Sequence, residues 1–275
     1  MTIDAHFHAW DVSLFGHGWL AGDGFEALNR DFSAADHPGV LQGRVLVQTL
    51  PDQRETVWLC ALAALSPVPT AVTGWVDLLR PDLLGGRIDF LRSVPGGEWL
   101  RALRPMVQNE AAPGWLDAPV VRDSVRVMAE RGMVLELLVT ERDWDSCVRL
   151  VDAVPGAVFV LDHLGKPRIS DAGPDRAWRD FVDRLAGHKH VRAKLSGLVT
   201  QCSMPTASGI APFVDYALAR FGVHRSMYGS DWPMSLLAAS APEQWESMLE
   251  RIVGGHHEDI FTVTAATTYS LEPTL

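Results

Sequence analysis

Short apolar runs recur along this chain at intervals of roughly 25 to 40 residues, about eight in all, with polar or helix-patterned stretches between them. That spacing constrains the fold more than any other feature. Parallel strands need a crossover of a dozen or more residues between them, and eight such units close into a (β/α)8 barrel. The first run surrounds Asp4-Ala5-His6-Phe7-His8; the others cover residues 44–49, 71–76, 100–107, 133–139, 157–161, 191–195 and 226–230. Between them, residues 55–65 read as a helix closed by Ser66-Pro67, and residues 119–131 as another that stops at Gly132, a fitting C′ glycine. Trp178, Phe181, Val182 and Leu185 fall at i, i+3, i+4 and i+7, the stripe of an amphipathic helix. Ser240-Ala241-Pro242-Glu243 matches a capping box with proline in the first turn. The stretch through His17, Trp19, Arg30, Asp31 and Phe32 is polar and irregular. No linker, low-complexity tract or charge block marks a second domain. The expected fold is α/β, a single TIM barrel over residues 1–275.

Residues two apart on a strand share a face, so His6 and His8 point the same way. Two imidazoles on one face hold a divalent metal or polarise a carbonyl directly; a strand can also simply carry two histidines. The far end of the chain favours chemistry. Tyr228-Gly229-Ser230-Asp231-Trp232-Pro233 brings a carboxylate to the end of the last strand, and in a closed barrel that strand pairs with the first. Active sites of this fold lie at the carboxyl ends of the strands. His6, His8, Gln48, Arg104, His163, Lys194 and Asp231 all fall at or near such ends. Singly, Arg104 and Lys194 read equally as ion-pair partners inside the barrel, His163 as a core histidine and Gln48 as a cap on the barrel top. Their joint occurrence on one face favours a site.

Composition removes other classes. Of 275 residues 47% are hydrophobic and 21% charged, with a net charge of −10, so no basic surface for nucleic acid is expected. No apolar run reaches membrane-spanning length, and the amino terminus lacks the basic and apolar regions of a signal peptide. The expected location is the cytoplasm. Cys60, Cys147 and Cys202 are too few and too scattered for a disulfide framework or a zinc finger. Oligomeric state is not written in the chain, and a homodimer is compatible with it.

Several blocks carry a resemblance that runs nearly end to end. They are Asp4-Ala5-His6-Phe7-His8-Ala9-Trp10, Gly18-Trp19-Leu20, Arg30-Asp31-Phe32, Val47-Gln48 and Glu55-Thr56. Leu100-Arg101-Ala102-Leu103-Arg104-Pro105-Met106-Val107-Gln108 and Trp115-Leu116 follow. The last are Leu161-Asp162-His163-Leu164-Gly165-Lys166-Pro167, Lys194-Leu195-Ser196-Gly197-Leu198 and Gly229-Ser230-Asp231-Trp232-Pro233. On these blocks the chain resembles the lactonase branch of the amidohydrolase superfamily, which includes sugar-lactone hydrolases and 2-pyrone-4,6-dicarboxylate lactonase. Ala102 departs from the glycine that usually follows the arginine.

The resemblance implies a hydrolase that opens a small lactone, most often of a sugar acid. Asp231 would be the general base that activates water, while His6, His8 and His163 polarise the carbonyl and stabilise the oxyanion. It implies substrate contacts from Gln48, Arg104, Lys166 and Lys194, with Trp115 and Trp232, and also Trp10, available to stack on a ring. One divalent metal, zinc or manganese, would be held by His6, His8 and Asp231, although some members of the branch work without any. Two other classes stay open: a metal-dependent decarboxylase or other non-lactone hydrolase of the same superfamily, and a barrel that binds a sugar acid without turning it over.

Overall fold

The computed structural model describes residues 1–109, 112, 114–202, 205–238 and 242–271. Its eight parallel strands are β1 (Ile3–Phe7), β2 (Gly43–Val47), β3 (Thr70–Gly74), β4 (Leu100–Leu103), β5 (Val134–Leu137), β6 (Val158–Leu161), β7 (Val191–Leu195) and β8 (Ser226–Tyr228). They are hydrogen-bonded in chain order from first to last. The ring closes just past the strand ends, where Phe7 bridges Trp232, His8 N–H donates to the Trp232 carbonyl at 2.8 Å and Asp231 N–H to that of His6 at 2.9 Å. The expected barrel is therefore observed, with strands shorter than the apolar runs that announced them.

Helices α1 (Gln53–Ala64), α2 (Pro81–Ser93), α3 (Pro119–Glu130), α4 (Trp144–Ala153), α5 (Arg176–Ala186), α6 (Ala207–Phe221) and α7 (Pro242–Val253) follow β2 to β8 in turn. Asp52 caps α1 and Asp175 caps α5, each accepting a backbone N–H from the first turn. Of the expected capping box, Ser240 and Ala241 lie outside the described residues. Between β1 and β2 the crossover is built from three short 3-10 turns, Gly18–Ala21, Glu26–Leu28 and Ala34–Asp36, in place of an α-helix. The last helix, α8 (Thr264–Tyr269), follows a π-turn over Asp259–Val263.

Small and β-branched side chains fill the barrel. Ile3, Ala5, Val45, Val47, Ala71, Ala102, Val134, Val160 and Met227 form one buried cluster with Ala265, Tyr269 and Leu271 of the carboxyl-terminal segment. Alanines leave room at the axis, and the ring of Tyr269 is fully buried there. A bulge in β1 sets up the site. Ile3, Asp4 and Phe7 pair with Gly43, Arg44 and Leu46, so β1 carries one extra residue. Ala5 thus belongs to the inner cluster while the next residue, His6, still reaches the groups inside the barrel mouth. Cys60, Cys147 and Cys202 are free thiols, and no described helix is long and apolar enough to cross a membrane.

Candidate active site

Four side chains from three parts of the chain converge at the carboxyl ends of the strands. Asp231 Oδ1 lies 3.7 Å from His6 Nε2, 3.6 Å from His8 Nε2 and 3.9 Å from His163 Nε2. His8 Nδ1 lies 2.7 Å from the Val47 carbonyl, which can only accept, so this nitrogen carries the proton and Nε2 faces the centre. His163 Nδ1 meets Ser196 Oγ at 2.9 Å. The backbone is bent to present these groups. Asp231 has φ 55°, and His163, Leu164, Gly165 and Lys166 form an unbroken left-handed run with φ between 51° and 74°. Such residues cost about 1–3 kcal/mol each when not glycine, so the surroundings must hold them. Trp178 Nε1–H donates to the Leu164 carbonyl at 2.8 Å, and Trp144 Nε1–H to that of Gly165 at 2.9 Å. A Cβ on Gly165 would meet Phe181 at 2.6 Å, and one on Gly197 (φ 62°) would overlap the His163 ring. The loop accepts no side chain at either place.

Charge is arranged to keep His6 and His163 neutral and the carboxylate ionised. Burial pushes His163 down to about 4, and burial with the nearby Lys194 ammonium pushes His6 well below its ordinary value. Burial alone would raise Asp231, but the neighbouring His163, His8 and His6 rings together hold it below the usual carboxylate range.

Beneath this group lies a second polar layer. Lys194 Nζ sits 2.8 Å from Glu136 Oε1, 3.1 Å from Asp162 Oδ1 and 3.2 Å from His6 Nδ1. Glu136 Oε1 also accepts from Thr73 Oγ1 at 2.7 Å and from the Tyr269 hydroxyl at 2.6 Å. Arg104 Nη1 lies 3.4 Å from Asp162 Oδ2 and 3.3 Å from His6 Nε2, and its other nitrogens bond the carbonyls of Gln48. Burial would raise Asp162, but Lys194, His6 and Arg104 outweigh it and hold it well below its ordinary value; burial raises Glu136.

Above the histidines opens a cavity of about 420 Å³, within the range of small-ligand sites. His8, His163, Asp231, Arg104 and Lys166 reach it, with Trp19, Phe25, Met106, Leu138, Met234 and Leu237 as apolar wall and Thr49, Gln108, Thr200 and Gln201 as polar lining. Lys166 donates to Gln108 Oε1 at 2.8 Å. Not every residue expected to touch a substrate is there. Gln48 and Lys194 are fully buried below it, held by Arg104 and by the Glu136–Asp162 pair. Trp232 is locked in the barrel seam against Phe32 and His37, and Trp10 packs on Trp19 and Phe32 with its N–H on the Arg30 carbonyl. Trp115, in the 3-10 turn Trp115–Asp117, packs against the outer core and does not line the cavity. The aromatic wall comes instead from Trp19 and Phe25, edge to face at 5.4 Å. Asp162 and Glu136 were not expected as site residues. The signal for Glu136 was one acidic residue inside the apolar run Met133-Val134-Leu135-Glu136-Leu137-Leu138-Val139.

Comparison with known proteins agrees with this geometry. The amidohydrolase family model matches residues 3–270. An L-fucono-1,5-lactonase of Burkholderia ambifaria is 34% identical over 242 residues, covering 86% of this chain and 81% of that protein. A crystal structure of an amidohydrolase from Burkholderia multivorans with bound HEPES superposes with a TM-score of 0.88 at 31% identity, covering 99% of this chain and 100% of that one. A second crystal form with bound zinc gives 0.87 at the same identity and coverage. With the family model spanning nearly its whole length, this chain belongs to the amidohydrolase family.

Proposed function

We propose that the protein is a lactone hydrolase acting on a sugar lactone of the size of L-fucono-1,5-lactone. The observation that carries this reading is the convergence of His6, His8 and His163 on one oxygen of an ionised Asp231 at the floor of a cavity of about 420 Å³. A water beside Asp231 gives its proton to the carboxylate as its oxygen attacks the lactone carbonyl carbon. Arg104 and the neutral His163 are in reach to donate to the developing oxyanion. The tetrahedral adduct then breaks the bond to the ring oxygen, which takes the proton back from Asp231 and leaves as an alcohol. The product is a hydroxy acid, which releases one proton. Lys166 and Gln108 supply polar contacts for ring hydroxyls, and Trp19 with Phe25 offers an apolar face for the sugar.

The residues also fit a divalent metal. Donor atoms of His6, His163 and Asp231 lie within 4.8 Å of one another, and His8 Nε2, 3.6 Å from the same carboxylate oxygen, stands beside them. Imidazole and carboxylate donors suit zinc or manganese. Such an ion would polarise the carbonyl and acidify the water that Asp231 deprotonates. The relatives at 30% identity or above that carry a functional name are lactonases, which favours ring opening over decarboxylation.

The test is a panel of aldono-lactones followed by pH indicator, with L-fucono-1,5-lactone included and carbon dioxide release from carboxylated phenols measured in parallel. Proton release with a sugar lactone is the expected result. Carbon dioxide release without it would replace this reading with a decarboxylase.

A further inference from the structure

Lys194 is a fully buried cation that the reaction above leaves without a step. Its ammonium nitrogen lies 2.8, 3.1 and 3.2 Å from Glu136 Oε1, Asp162 Oδ1 and His6 Nδ1. These same three side chains form a donor set whose ligand atoms fall within 4.8 Å of one another, a spacing that would hold a metal ion. Among the described residues the barrel therefore contains two donor clusters joined by one ring. His6 faces Asp231 through Nε2 and Asp162 through Nδ1.

We propose that Lys194 is a built-in cation that fills the inner cluster, so that the protein takes a single divalent ion, in the outer one. This rests on the outer-cluster metal site described above. Three observations support it. The ammonium sits among the very atoms that would bind a second metal, at distances suited to N–H donors and longer than the ~2.0–2.2 Å of zinc ligands. Charge is already balanced there: Glu136 and Asp162 face Lys194 and Arg104. A further dication in that dry layer would leave a large uncompensated charge. Nor can the lysine swing aside, because Tyr269 closes the barrel behind it, with its ring 5.6 Å from the ammonium and its hydroxyl on Glu136.

The arrangement also gives Lys194 a positioning role. A metal-bound His6 needs its Nδ1 proton on an acceptor, and Asp162 Oδ1 at 3.5 Å is the carboxylate in reach. Lys194 holds that carboxylate in place without touching the cavity.

The experiment is equilibrium dialysis of the folded protein against zinc with a weak competing chelator, the bound metal being counted by emission spectrometry. One equivalent is expected for the wild type, two for Lys194→Ala, whose inner ion would take His6 Nδ1 as that nitrogen releases its proton to solvent, and one again for Lys194→Ala/Glu136→Ala, which lacks a donor. A wild type that takes two or none, or a folded Lys194→Ala that gains none, overturns the proposal. If Lys194→Ala does not fold, Lys194→Met/Glu136→Gln removes one charge of each sign. Its outer-site zinc affinity should fall about 10- to 100-fold, as for loss of other supports behind a metal ligand, and an unchanged affinity would overturn the proposal. Metal counting needs no substrate. A protein that shows the one–two–one pattern but opens no lactone sinks the lactonase reading alone.

Discussion

The barrel holds two polar layers, equally buried and differently built. In the upper one, His8, His163 and Asp231 border a cavity with His6 behind them, and the three imidazoles face Asp231 at 3.6–3.9 Å, too far for good hydrogen bonds. In the lower one, Glu136, Lys194, Asp162, Thr73 and Tyr269 meet at 2.6–3.1 Å with no opening to a ligand. Burial alone thus does not mark a reactive group. The lower layer is tied together by internal ion pairs and hydrogen bonds, although Glu136 Oε2 and Asp162 Oδ1 accept no hydrogen bond, and the upper layer keeps its polar atoms for something that enters from the cavity. If so, damage above should fall on turnover and damage below on stability.

The largest expected effect is in the upper layer. Asp231→Asn keeps the volume and removes the base, so kcat on the active lactone should fall about 10²- to 10⁴-fold with little change in melting temperature. A variant retaining wild-type kcat would show that another group takes the water's proton. Below, Glu136→Ala leaves Lys194 without its nearest carboxylate in a dry site, and removing one partner of a buried pair costs about 3–5 kcal/mol. Urea unfolding should report that loss, and a stability change under 1 kcal/mol would erase the proposed division between layers.

The division was only half legible in the chain. The strand rhythm and the His6/His8–Asp231 pairing were readable because a parallel barrel needs evenly spaced runs and must close first on last. Helices α2, α4, α6 and α8 were not anticipated. Gly85-Gly86 in α2 and Gly209 with Pro212 in α6 lower intrinsic helicity, and packing against the barrel overrides that preference. The lower layer was hidden for another reason. Lys194 looks like a substrate contact when only its place near a strand end is known, and its partners Glu136 and Tyr269 are 58 and 75 residues away. Nor does sequence pattern reveal the extra residue in β1 that brings His6 inward directly after Ala5.

Smaller perturbations sharpen the contrast. Tyr269→Phe removes one hydrogen bond to a carboxylate that keeps two other partners, Thr73 and Lys194. It should cost about 1.5–3 kcal/mol in stability while kcat changes less than about threefold. A kcat loss as large as that of Asp231→Asn would tie the lower layer directly to chemistry. The smallest effect concerns Lys166 at the rim. Burial lowers its pKa, so its charge is lost at a lower pH than for a free lysine. KM should rise by a few-fold as pH climbs toward that value, and Lys166→Met should show the raised KM at every pH. A KM in the variant that still rises with pH would assign the titration to another group.

The crossover without an α-helix has a consequence for how such an enzyme changes over time. Trp19 and Phe25, which wall the cavity, both sit in that irregular stretch between β1 and β2, whereas Asp231 and the histidines are anchored in or beside strands. Recognition and reaction are therefore encoded in separable parts of the gene. A length change or a cassette swap over residues 11–29 would redraw the wall facing the sugar, while the strand pairing that assembles the reactive centre, and the Phe32 and His37 rings that hold Trp232 in its seam, would be inherited intact.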